Sequence, residues 1–174
     1  ILAELITAAI GAQCMIWETS PAAAELEERV MEWLINMSAL PQNWDGVIQD
    51  TASTGTLVSI LTAREKITRF NINNRGFSNE KLRIYCSAQT HSSIDKSVKI
   101  AGIGLDNLVK IPVDDQMALL PHLLEDAIKS DLALGRIPCC IITTLGTTGT
   151  TAMDPLEAIA DIAIKYNVWH HVDA

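Results

Sequence analysis

The run "IPCCIITT" (137–144) carries no charge and mixes branched side chains with two cysteines. A strand of that composition has no polar side to show to water, so it must be covered on both faces. The segments around it alternate in kind. "LRIYCSA" (82–88), "NLVKIPV" (107–113) and "VWHHVD" (168–173) read as further strands. Between them, "HSSIDKSVKIAG" (91–102), "LLPHLLEDAIKSDLALG" (119–135) and "DPLEAIADIAIKYN" (154–167) read as helices, the second closed by Gly135 and the third capped by Asp154. Strands separated by helices pair in parallel through right-handed crossovers. The expected fold class is α/β, three layers with helices on both faces of a mostly parallel sheet.

The N-terminal third is helical first. In "SPAAAELEERVMEWLINMSAL" (20–40), Ser20 is placed to cap the free amides and Pro21 to occupy the first helical position. Leu26, Val30, Trp33, Leu34 and Met37 recur at helical spacing, which predicts a core-facing stripe. After the break at "PQNWDG", the short run "GVIQD" reads as a strand candidate, and "TASTGT" leads into a helix over "LVSILTAREKITRF".

At 174 residues the chain has room for one core, so one domain or part of one is expected. A composition 48% apolar, with mean hydropathy +0.20, is high for a small free-standing domain and implies apolar surface that meets further chain or a partner. The net charge of −8, with scattered lysines, argues against nucleic acid as a partner. Cys14, Cys86, Cys139 and Cys140 form no CxxC pair, so neither a zinc site nor a disulfide framework is indicated, and reduced thiols in a cytoplasmic setting fit best. The opening "ILAELITAAIGAQCMIW" lacks a basic leader and is interrupted by Glu4, and no uncharged apolar run reaches the ~18 residues of a membrane span.

In an open parallel sheet the ligand crevice lies beyond the carboxyl ends of the strands. "TASTGT", "QTHSS", "TLGTTGTT" and Asp173 each follow or end a candidate strand. "DTASTGTL" sets hydroxyls and free amides at a helix N-terminus, which suits a phosphate and equally suits an ordinary Ser/Thr cap. It is not a P-loop, and "GIGLDN" is not a dinucleotide fingerprint, because it follows a helix and lacks the third glycine. His91 at a strand–helix junction reads either as a cap or as a functional imidazole. His170 and His171 are strand neighbours that point to opposite faces and cannot share a metal, and the same holds for Cys139 and Cys140. Asp173 ends an apolar strand, where a carboxylate needs donors or a cation. A helix cap or a charged ring nitrogen would each answer that need.

Five segments in order, "WETSPAAAELE", "GVIQDTASTGTLVSILTARE", "YCSAQTHSSIDKSVKIAGIG", "TLGTTGTTAMDPL" and "WHHVDA", resemble the pyridoxal-phosphate-dependent group II amino acid decarboxylases, nearest the aromatic L-amino acid decarboxylase branch. The resemblance implies a fold-type I large domain, a pyridoxal 5'-phosphate cofactor, a homodimer, and release of carbon dioxide from an L-amino acid, most plainly an aromatic one. It matches Ala52 and Ser53 to the phosphate site, His91 to the imidazole stacked on the pyridine ring, Thr148 to a hydroxyl near the cofactor, and Asp173 to the carboxylate on the ring nitrogen. None of the lysines matches the family's Schiff-base lysine, which follows "HVDA". On this reading residues 1–174 are the central part of the large domain, without the N-terminal arm, lysine segment and small domain, and are inactive alone. Two departures stand out. Met15 replaces the usual aromatic residue two positions before Trp17, and Ser53-Thr54-Gly55 replaces Ser-Glu-Ala. The alternatives are another enzyme of the same fold, such as an aminotransferase, a lyase or an aldehyde-forming relative, or a scaffold that has lost the chemistry.

Overall fold

The computed structural model describes all 174 residues, and the chain forms two compact units, Ile1–Gln49 and Asp50–Ala174. The first unit holds α1 (Leu2–Ile10), ended by Gly11 in the left-handed conformation, and α2 (Pro21–Met37). Pro21 opens α2 as its fixed φ and missing N–H favour, but the Ser20 side chain makes no capping bond. The apolar stripe of α2 is helical in spacing yet not a core. Leu26 is 61% exposed, Trp33 54% and Met37 80%. Within this unit the stripe is left largely uncovered. "GVIQD" is not a strand either. Its Ile48 amide is taken by the Glu27 carboxylate at 2.7 Å, so that backbone group is satisfied without a ladder.

The second unit runs α3 (Ala52–Thr68), α4 (Asn71–Arg75), β1 (Leu82–Ser87), α5 (Ser93–Ile100), a 3-10 turn (Leu105–Asn107), β2 (Leu108–Ile111), α6 (Pro121–Ala133), β3 (Ile137–Thr144), α7 (Leu156–Tyr166) and β4 (Trp169–Asp173). The strands form one sheet in the order β2-β1-β3-β4, every pair parallel. Helices cover both faces, as the uncharged β3 demands. Ile84, Cys86, Cys140 and Ile142 pack with Ile60 and Ala63 of α3 and Ile94 and Val98 of α5. On the other side Tyr85 and Ile141 pack with Leu124 and Ile128 of α6 and Ile159 and Ile162 of α7.

The two adjacent cysteines depart from strict alternation. The β1–β3 register runs Arg83 to Pro138 and then Ile84 to Cys140, so Cys139 is an extra residue. Proline cannot donate to a ladder, and a bulge there lets both thiols join the α3/α5 core. Burial pushes the Cys139 thiol up to about 12 and Cys140 well above its ordinary value, so both are protonated packing groups.

Across the other layer, buried Asp131 of α6 accepts hydrogen bonds from Arg83 Nε (3.0 Å), Tyr85 Oη (2.8 Å) and Arg136 Nη1 (2.8 Å). Burial pushes this carboxyl upward, but the bonds from Arg136, Tyr85 and Arg83 outweigh it and hold the group below its ordinary value. α6 is thereby tied to β1 by charge as well as by packing.

Candidate active site

The direction of α3 decides which side chains meet. Trp169, at the start of β4, donates its indole N–H to Ser59 at 3.0 Å. Lys66 lies 5.0 Å from the same ring, and the C-terminal half of α3 shares a cavity with Cys139, Val168 and Trp169 at the strand starts. The helix therefore runs against the strands, and its N-terminus lies toward their carboxyl ends.

At that N-terminus Thr51 is extended, and its hydroxyl accepts the Thr54 amide at 3.2 Å. Its carbonyl takes the amides of Thr54 and Gly55. The amides of Ala52 and Ser53 have no acceptor in the chain, and both residues are exposed. Two free donors and the positive end of a helix of 17 residues could hold an anion.

β1 delivers the second element. Beyond Ser87 the chain turns through Thr90, whose hydroxyl donates to the Ser87 carbonyl at 2.8 Å, and reaches His91. His91 Nδ1 accepts the Ser93 amide at 3.2 Å and lies 3.0 Å from its hydroxyl. The capping role is thus real, and it determines the tautomer. With Nδ1 an acceptor, the proton of the neutral ring sits on Nε2. His91 as a residue is exposed.

β3 ends in a closed loop. Thr147 is buried, with its hydroxyl accepting the Ala152 amide at 3.0 Å and lying 2.7 Å from that of Thr150. Gly146, at φ 94, makes the turn that a side chain would resist. Thr148 follows as an exposed residue of the same loop. Behind it Asp154, 3% exposed, does not cap α7, where Pro155 holds the N-cap position. Its two oxygens instead accept the buried amides of Leu119 and Thr144, each at 2.8 Å, so the carboxylate is already used by the sheet.

β4 brings the last group. Asp173 stands in register with Thr144, and its carbonyl accepts the Leu145 amide at 2.9 Å. Side-chain alternation puts Trp169, His171 and Asp173 on the α3 face, while His170 turns away to Thr143 on the α6/α7 side at 2.6 Å. The two histidines do point apart, as the sequence predicts. Burial lowers both imidazoles from their ordinary value, with His171 adding to the effect on His170 and Asp173 opposing it at His171. No group of three or more His, Cys, Asp or Glu side chains is arranged to hold a metal.

The rim at the carboxyl end of the sheet thus collects all five candidates: Ala52 and Ser53 on α3, His91 after β1, Thr148 after β3 and Asp173 ending β4. Sequence reasoning missed two neighbours. Thr144 Oγ1 and His171 Nε2 are buried on the Asp173 face with no hydrogen-bond partner. The signals were a polar pair ending an otherwise apolar strand and a histidine two residues before the acid.

The whole of residues 1–174 matches the family model described as the pyridoxal-dependent decarboxylase conserved domain. The chain is 40% identical to a phenylacetaldehyde synthase of Arabidopsis thaliana, over 99% of this chain and 36% of that protein. It is 41% identical to tyrosine decarboxylase 2 of Narcissus pseudonarcissus, again over 99% of this chain and 36% of the relative. Among solved structures, Catharanthus roseus tryptophan decarboxylase in complex with L-tryptophan superposes with a TM-score of 0.90 at 37% identity, covering 99% of this chain and 38% of that one. The chain thus spans 36% of the length of these curated relatives. The parallel α/β architecture, the ordered motifs and the match along the full chain agree: the chain belongs to the pyridoxal-dependent decarboxylase family, and pyridoxal phosphate is the cofactor that goes with it.

Proposed function

We propose that the full-length protein releases carbon dioxide from an L-amino acid, an aromatic one by preference, with this chain supplying much of the cofactor's bed. The observation that carries the reading is the convergence on one rim of a free-amide helix N-terminus, an exposed histidine and a strand-end carboxylate. Pyridoxal phosphate, when bound, supplies an electron sink for the pair left behind as carbon dioxide departs.

The chain's own residues would do the rest. The amides of Ala52 and Ser53, with the Ser53 hydroxyl, hold the phosphate dianion. The α3 dipole stabilises that charge without requiring a lysine. His91, its Nδ1 tied to Ser93, presents a flat ring of known tautomer for stacking and keeps Nε2–H available to orient a carboxylate. Thr148 offers a hydroxyl from the loop beside it. Asp173 keeps a proton on the ring nitrogen, because a carboxylate at the end of a strand is most stable opposite a cation.

At least three of the seven lysines are engaged by other side chains. Lys66 lies over Trp169, Lys110 pairs with Asp95 at 2.9 Å, and Lys165 pairs with Glu125 at 2.7 Å. With the chain spanning 36% of its relatives' length, this fits a cofactor-bearing lysine in the remainder of the full protein and an inactive isolated chain. The exposed apolar side chains of α2 support a homodimer, and four free thiols support a cytoplasmic setting. No helix is long and apolar enough to cross a membrane.

A second reading has its own support, since two further phenylacetaldehyde synthases, of Petunia hybrida and a rose cultivar, match at 40% and 38% identity. The full-length protein, incubated with a panel of L-amino acids, separates the two. Carbon dioxide with amine is the expected result, and carbon dioxide with aldehyde supports the second reading. Conversion of amino acids without carbon dioxide release would overturn both.

A further inference from the structure

Around Asp173 the sheet carries more polar chemistry than the cofactor contacts require. Thr144 is its register partner on β3, and the Thr144 residue is only 4% exposed. The strand alternation that puts Cys140 and Ile142 in the α3/α5 core puts the Thr144 side chain on the same face as Asp173. His171, two residues back along β4, shares that face. Oγ1 of the threonine and Nε2 of the histidine are the two buried side-chain polar atoms of the chain that lack a partner. Leaving such atoms buried and unpaired is costly, and a site role is one explanation of why a fold keeps them.

The backbone at this point is rigid. Thr144 is bonded through both its amide and its carbonyl to Asp154, and Leu145 donates to the Asp173 carbonyl. A hydroxyl and an imidazole carried on so fixed a frame are suited to orienting a neighbour.

We propose that Thr144 and His171 are positioning residues for Asp173: Oγ1 and Nε2 make no hydrogen bond to its carboxylate in this structure, but they belong to its neighbours on the same face of the sheet and would turn to orient it toward the cofactor's ring nitrogen. A carboxylate held by neutral donors keeps its charge for the pyridinium, whereas a cationic neighbour would compete for it. The lowered proton affinity of the half-buried His171 agrees with a neutral role. The inference rests on the cofactor reading given above.

The test uses the full-length apoenzyme titrated with pyridoxal phosphate and followed by the visible absorption of the bound cofactor. Thermal unfolding of the apo form is measured alongside. Thr144→Val should weaken cofactor affinity about tenfold, the worth of one hydrogen bond to a charged group. Its apo-form unfolding temperature should be unchanged or higher, since a buried unpaired hydroxyl is removed. Thr144→Ser should restore affinity, and His171→Phe, which keeps a ring without its donor, should weaken it. A purely structural role predicts the reverse for Thr144→Val, with affinity intact. Normal uptake by wild type together with unchanged affinity in Thr144→Val and His171→Phe would overturn this proposal alone. Wild-type apoenzyme that takes up no pyridoxal phosphate would overturn the cofactor reading and the proposal with it.

Discussion

Asp154 and Thr144 hold each other twice: the Thr144 amide donates to the Asp154 carboxylate at 2.8 Å, and the Asp154 amide donates to the Thr144 carbonyl at 3.0 Å. This clamp closes the loop that carries Thr148 and fixes the end of β3 beside Asp173. The other carboxylate oxygen holds Leu119 on the way into α6. Asp154→Ala would strand two buried amides and should cost about 3 kcal/mol, while Asp154→Asn, which keeps one acceptor, should cost less. Urea unfolding midpoints of the two variants against wild type test the ranking.

At the proposed phosphate site one substitution separates helix formation from anion binding. Thr51 is extended at φ −149 and ψ 158, a conformation that tolerates a following proline, and Ala52 is the first helical residue, where proline is favoured. Ala52→Pro should leave α3 intact by circular dichroism yet remove one of the two free N–H groups proposed to hold the phosphate. The expected outcome is about tenfold weaker pyridoxal phosphate binding with little change in unfolding temperature.

The two strand histidines predict acid sensitivity. Both have folded-state proton affinities below the ordinary value, set first by burial. The unfolded chain therefore takes up protons first, so their contribution is fully present above about pH 6.5 and declines as the pH falls through that value. The slope is at most about 1.4 kcal/mol per pH unit for each histidine. Unfolding measured from pH 7.5 to 5 should show the decline, and His170→Gln should make it shallower.

The Asp131 cluster should rank its variants by charge. Tyr85→Phe removes one of three donors and should cost about 1 kcal/mol. Asp131→Ala leaves Arg83 and Arg136 without their counter-charge and should cost about 3 kcal/mol or more. Because the carboxyl is held below its ordinary value, wild-type stabilisation by this cluster is complete above about pH 4 and fades as the pH falls through the folded-state value. Denaturant titrations at pH 7 and pH 3 check both the ranking and the sign.

The parallel sheet was legible because its cause is local. Four runs of branched and aromatic residues alternate with three helical periods, and an uncharged β3 leaves only a doubly covered layer as a solution. The rim was legible for the same reason, since crossover topology puts strand-end residues on one edge. What escaped depended on long-range partners. Asp154 looks like a cap in sequence, yet its acceptors serve amides 35 and 10 residues away. The α2 stripe has helical spacing, but spacing does not say what packs against it. Cys139 and Cys140 appeared to face apart until the bulge at Pro138 turned both inward.

The Asp173 carboxylate, at the end of β4, is proposed to keep the cofactor's ring nitrogen protonated. The most direct test is the pyridoxal phosphate affinity and carbon dioxide release of full-length Asp173→Ala against wild type. The account predicts weaker uptake, by about tenfold or more, and a loss of turnover larger than that of binding. Uptake as tight and release as fast as wild type would contradict it.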